Sequence, residues 1–127
     1  PAREKKTGTD SVTAHLGGRL LEEVFLKGDN GENFQRGYLF YLARDGKWQH
    51  VIYDQKWGQY VFEGGLRADG TVVLESPEHD TRPGKRRETF SNVSDAGFDY
   101  RWDESYDGGK TWQVRWTVNY KRRTVPG

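Results

Sequence analysis

The chain has 127 residues, room for one domain with a modest core. Its 20 basic and 19 acidic side chains cancel to a net charge of +1, so it lacks the one-sided field that a nucleic-acid or membrane-surface binder needs. There is no cysteine, which excludes disulfides, thiolate nucleophiles and Cys-ligated zinc, and no apolar run near the ~20 residues of a membrane span.

Residues 1–9 are polar and aperiodic and read as a frayed end, 10–123 as one β domain and 124–127 as a tail. Short β-like runs follow one another at 10–16, 19–27, 35–44, 47–55, 59–66, 71–76, 86–93, 98–106 and 111–121. Turn residues separate them: Gly17-Gly18, Gly28-Asp29-Asn30-Gly31, Asp45-Gly46, Trp57-Gly58, Asp69-Gly70, Pro83-Gly84, Asp95-Ala96-Gly97 and Asp107-Gly108-Gly109. Asp-Gly between alternating runs is a strong hairpin signal, and two such pairs join consecutive runs directly. No connection holds the dozen or more residues that a parallel crossover requires. The expected fold is all-β, an antiparallel up-and-down β-barrel of about nine strands, because closure removes sheet edges; a two-sheet β-sandwich is the alternative.

Alternation assigns the faces. Phe98, Tyr100, Trp102, Glu104 and Tyr106 oppose Asp99, Arg101, Asp103 and Ser105; in the last run Trp112, Val114, Trp116, Val118 and Tyr120 share a face. Tyr38 and Phe40, and Tyr60 and Phe62, extend the expected interior, and Trp48 and Ile52 carry His50 with them. Ionisable groups on that interior are Arg36, Glu88, Glu104 and His50, each requiring a partner or a ligand. Such a lining of aromatic walls and few polar anchors fits a small-molecule site. The plainer reading pairs these charges in a filled barrel.

The sharpest local pattern is Ser105-Tyr106-Asp107-Gly108-Gly109-Lys110-Thr111-Trp112, an Asp-box at every specified position. Ser105, Asp107, Gly109, Thr111 and Trp112 are expected to staple a hairpin: Asp107 caps amides around residues 108–110, Gly109 takes a positive φ, and Trp112 buries its ring. Asp-boxes recur in β-propellers, but one box in 127 residues cannot make the blades of a propeller. The wider pattern of Phe98, Trp102, Glu104, Ser105, Asp107-Gly108-Gly109, Thr111-Trp112, Tyr120 and Arg122 follows Arg87-Glu88-Thr89-Phe90 and Trp48, Asp54 and Gly58. It resembles bacterial lipocalin-like domains of the calycin type. The resemblance implies a ligand-binding barrel, in a family with members recruited as enzymes. It departs at the start, where nothing before Asp10 matches the opening Gly-x-Trp strand of those domains.

Three functional expectations follow. The first is binding of a small hydrophobic or aromatic molecule, with no cofactor, by Arg36, Tyr38, Phe40, Tyr60, Phe62, Tyr100, Trp102, Trp116 and Tyr120. The second is cofactor-free acid–base or cyclisation chemistry in the same pocket, with Glu104, Glu88 and His50 as candidate catalytic groups. The third is an interaction module that forms a homodimer through an open sheet edge. His15, His50 and His79 lack ligand-like spacing, so no metal is expected. The basic clusters around Arg82 and Lys121-Arg122-Arg123 read as solvated, with no nucleic-acid or membrane partner.

Overall fold

Strand-forming runs and the turns between them give nine strands: β1 Gly8–His15, β2 Leu20–Lys27, β3 Glu32–Leu42, β4 Lys47–Asp54, β5 Gly58–Leu66, β6 Val72–Glu75, β7 Lys85–Ser94, β8 Gly97–Ser105 and β9 Gln113–Lys121. The structure is a computed structural model that describes residues 8–18, 20–27, 32–54, 58–77 and 83–121. The strands form one nine-stranded sheet in chain order, each antiparallel to the next where the ladder is resolved residue by residue. This is the all-β, up-and-down architecture that the short connections require. His79, Arg82, Arg122 and Arg123, and the turns around 28–31 and at Trp57, lie outside the described residues.

The chain divides into two compact units, residues 1–61 and 62–127. In the first, β1 and β2 are joined through a short 3-10 turn, Leu16–Gly18, and β3 and β4 through the Asp45-Gly46 hairpin, whose two amides donate to Leu42 O at 3.1 and 2.9 Å. The buried side chains of β4 are His50, Ile52 and Asp54, all on one face.

In the second unit the Asp69-Gly70 turn shows how a side chain fixes a hairpin. Asp69 Oδ1 accepts the Thr71 amide at 3.0 Å and the Thr71 hydroxyl at 2.7 Å, while Gly70 N–H donates to Arg67 O at 3.0 Å. These bonds to Thr71 hold the Asp69 carboxyl below the usual carboxylate range. The core of this unit lies on one face of β5–β8, where Phe62, Leu74, Tyr100 and Trp102 are buried together with Arg86 and Glu88. The opposite face carries a charge cluster. Buried Asp103 accepts from Arg87 Nη2 at 3.1 Å and from Arg101 Nε at 3.0 Å.

Candidate functional site

Directly paired residues of an antiparallel ladder share a face, so the register builds the site. One row runs across five strands: Gly64, Leu74, Glu88, Trp102 and Trp116. The next row holds Val72, Phe90, Tyr100 and Val118, and beyond it Phe98 pairs with Tyr120. The rings touch in a continuous series. Phe62 meets Trp102 edge-on at 5.1 Å, and Trp102 meets Trp116 at 5.8 Å. Phe90 meets Tyr100 at 5.2 Å, and Phe98 stacks on Tyr120 at 4.6 Å. Edge-to-face and offset geometries are those that the ring quadrupoles favour.

Within this apolar field Glu88 is fully buried, and the Tyr100 hydroxyl donates to its carboxyl. The hydrogen bond is what makes burial of that polar group tolerable. The row ends in the open: Trp116 is 49% exposed. Of the sequence-predicted residues, the structure brings together Phe62, Glu88, Tyr100, Trp102, Trp116 and Tyr120 on this face. Leu74, Phe90 and Phe98 belong to the same face and were not among the predicted ligand contacts. For Phe98 the signal is the polarity alternation of β8; Leu74 lies in the unbroken apolar run Val72–Leu74, which gives no phase.

Three expectations are corrected. Trp112 and Val114 do not share the face of Trp116, because a bulge intervenes: Trp102 pairs with Trp116, but Asp103 pairs with Val114. The extra residue, Arg115, flips the phase. Trp112 therefore lies on the opposite face, half-buried beneath Arg87, whose guanidinium carbon sits 4.0 Å from the ring centroid. Glu104 keeps the face of Trp102, opposite Arg86, but at the edge of the rings rather than enclosed by them. It is half-buried, and the same bulge brings Arg115 Nε to 2.6 Å from its Oε1. Arg36 is exposed rather than interior. It shares a face with Tyr38, Phe40, Val51 and Tyr53, opposite the face of His50, Ile52 and Asp54. Tyr60 is half-buried on β5.

The 105–112 hairpin is held by side chains. Asp107 accepts the Ser105 hydroxyl and the Thr111 amide, each at 2.9 Å, and the Thr111 hydroxyl at 2.5 Å. Ser105 Oγ in turn accepts the Gly109 amide at 2.9 Å. The expected cap on 108–110 is thus centred on Thr111, with Ser105 relaying the Gly109 amide, and Gly109 takes the expected positive φ of 91°. The bonds from the Thr111 hydroxyl and amide, then from Ser105, lower the Asp107 carboxyl from 3.8 to about 2. A polar cleft of about 240 Å³ lies here, lined by Glu104, Tyr106, Asp107, Thr111 and Gln113. Its acids already serve Arg115, Thr111 and Ser105, so the cleft belongs to the hairpin.

This predicts an acid-side loss of stability. Because the folded value lies below the unfolded one, the contribution of Asp107 is complete above the unfolded value of 3.8 and disappears as pH falls through about 2. Asp107→Asn should lower the melting temperature at neutral pH and leave a smaller further loss between pH 4 and pH 2 than the parent shows. Thermal melts across that range check it; parallel curves for the two proteins would contradict it.

Among the described residues no group of three or more His, Cys, Asp or Glu is placed to hold a metal. His15 Nε2 lies 3.7 Å from Glu22, and His50 Nε2 lies 3.8 Å from Glu23. No family model matches the chain, and neither a curated protein nor a solved structure matches it.

Proposed function

We propose that the protein binds a small hydrophobic or aromatic molecule against the aromatic face of residues 62–120. One observation carries this reading: the row Leu74, Glu88, Trp102, Trp116 runs from a fully buried carboxyl to a tryptophan half in solvent. A flat apolar ligand stacked on Trp116 removes exposed ring surface from water, while the buried Tyr100–Glu88 pair holds the strands beneath it. The lipocalin-like resemblance of Trp102, the 105–112 Asp-box pattern and Tyr120 supports the same reading, since in such barrels an aromatic strand face is the wall of a ligand cavity. Titration with N-phenylnaphthylamine, followed by quenching of tryptophan emission, should saturate. Trp116→Ala should weaken the probe about tenfold by removing one stacking surface. Equal affinity in the two proteins, or no saturable quenching in either, would contradict the proposal.

A second reading, cofactor-free acid–base chemistry on a hydrophobic substrate, is favoured by the complete burial of Glu88 beside a phenol donor. Its base is Glu88, since Glu104 is committed to Arg115. An activated nitrobenzisoxazole, which opens on proton abstraction alone, tests it: turnover should vanish in Glu88→Gln while Glu104→Gln retains it. Turnover that survives Glu88→Gln excludes Glu88 as the base.

A further inference from the structure

Single exposed rings are common on protein surfaces. Tyr106, the residue after β8, is 60% exposed, yet its ring is held in place. A Cβ on Gly84 would stand 2.7 Å from Tyr106 Cε1 and 3.0 Å from its Cδ1, so the ring lies directly against the Gly84 backbone. The Arg115 guanidinium carbon stands 6.0 Å from the ring centroid, and the Tyr106 hydroxyl donates to Glu104 Oε1 at 3.4 Å. A side chain with two rotatable angles is oriented by three such contacts, and a rigid tyrosine offers contact area at little cost in entropy.

This ring borders the polar cleft of about 240 Å³ built by the 105–112 hairpin. Asp107 and Thr111 are bonded to each other and serve as its wall. Glu104 and Gln113 are paired across the β8–β9 ladder and supply its polar chemistry. Arg115 Nε and the Tyr106 hydroxyl both donate to Oε1 of Glu104, so Oε2 remains to accept. Gln113 is exposed and brings an amide that both donates and accepts. Charge narrows the occupant. Two carboxylates, Glu104 and Asp107, disfavour an anion. Arg115, beside the ring and paired with Glu104, disfavours a cation on the same ring. What fits is an uncharged molecule with hydroxyl groups and one apolar face. We propose that the cleft binds a single pyranose ring of a saccharide, its C–H face on Tyr106 and its hydroxyls on Glu104 Oε2 and the Gln113 amide. The volume lies below the ~300–1,000 Å³ usual for drug-sized ligands, which suits one sugar ring.

The test uses the nitrogen-labelled full chain, titrated separately with the methyl β-pyranosides of glucose, galactose and mannose. Sorbitol, an acyclic polyol, and tetramethylammonium are the controls. At least one pyranoside should shift the Gln113 side-chain amide and the Tyr106 backbone amide saturably, with the Trp102 and Trp116 indoles unmoved; neither control should do so. Tyr106→Ala, followed at Gln113, should weaken that sugar about tenfold or more, whereas Tyr106→Phe, which keeps the ring, should stay within about threefold of the parent. The proposal is overturned if none of the three sugars shifts Gln113 saturably, if sorbitol or tetramethylammonium shifts it as the sugars do, or if Tyr106→Ala binds as the parent does. Should Tyr106→Ala fail to fold by far-ultraviolet circular dichroism, Gln113→Ala decides: followed at the Tyr106 amide, it should weaken the sugar severalfold, and parent-like binding overturns the proposal. Neither result bears on the aromatic face of residues 62–120, which N-phenylnaphthylamine reports through Trp116.

Discussion

Phe62→Ala is expected to cost about 3–5 kcal/mol of folding stability, the range for deleting a large ring from a core that cannot collapse. Phe62 is completely buried and packs edge-on against Trp102 at 5.1 Å. Removing it leaves a void beside a second large ring, whose loss of contacts adds to the lost transfer energy. Phe62→Leu fills most of that void and should cost markedly less. Urea unfolding of the three proteins measures both; a Phe62→Ala midpoint close to the parent's would show that the ring is not a core element.

A comparable loss is expected from Gly97→Ala, for a reason confined to the backbone. Gly97 opens β8 with φ 152°, and a Cβ built there would stand 1.9 Å from Tyr120 O and 2.9 Å from Tyr120 C. A carbonyl within the β8–β9 ladder cannot swing aside as the end of a long side chain can. Overpacking of about 1–3 kcal/mol and backbone strain of about 1–3 kcal/mol both apply. The Phe98–Tyr120 stack, one residue along, should loosen with it. Urea unfolding of Gly97→Ala together with its near-ultraviolet dichroism checks both parts. A variant as stable as the parent would place Gly97 outside the ladder.

Local chemistry explains what was legible from sequence. In β8 the residues Phe98, Tyr100 and Trp102 alternate with Asp99, Arg101 and Asp103, so the face is written in polarity alone, and Tyr100 and Trp102 are buried as expected. The 105–112 hairpin is equally readable, because Ser105, Asp107 and Thr111 bond to one another within seven residues. β3 is different. Tyr38 to Leu42 is an unbroken apolar run, so period gives no phase, and the face shared with buried His50 is identified only by its pairing with β4. The bulge at Arg115 left no sequence signal. Yet one extra residue moved Trp112 and Val114 to the other face and gave Glu104 its cation.

The central claim, that the aromatic face of residues 62–120 takes the ligand, is tested most directly by the indole N–H resonances. Trp102 and Trp116 line that face, while Trp112 lies on the other beneath Arg87. In a two-dimensional nitrogen–proton spectrum titrated with N-phenylnaphthylamine, the Trp102 and Trp116 indole signals should move saturably and together, with Trp112 unmoved. Movement of Trp112 with Trp102 and Trp116 stationary, or no saturable movement of any of the three, would contradict it.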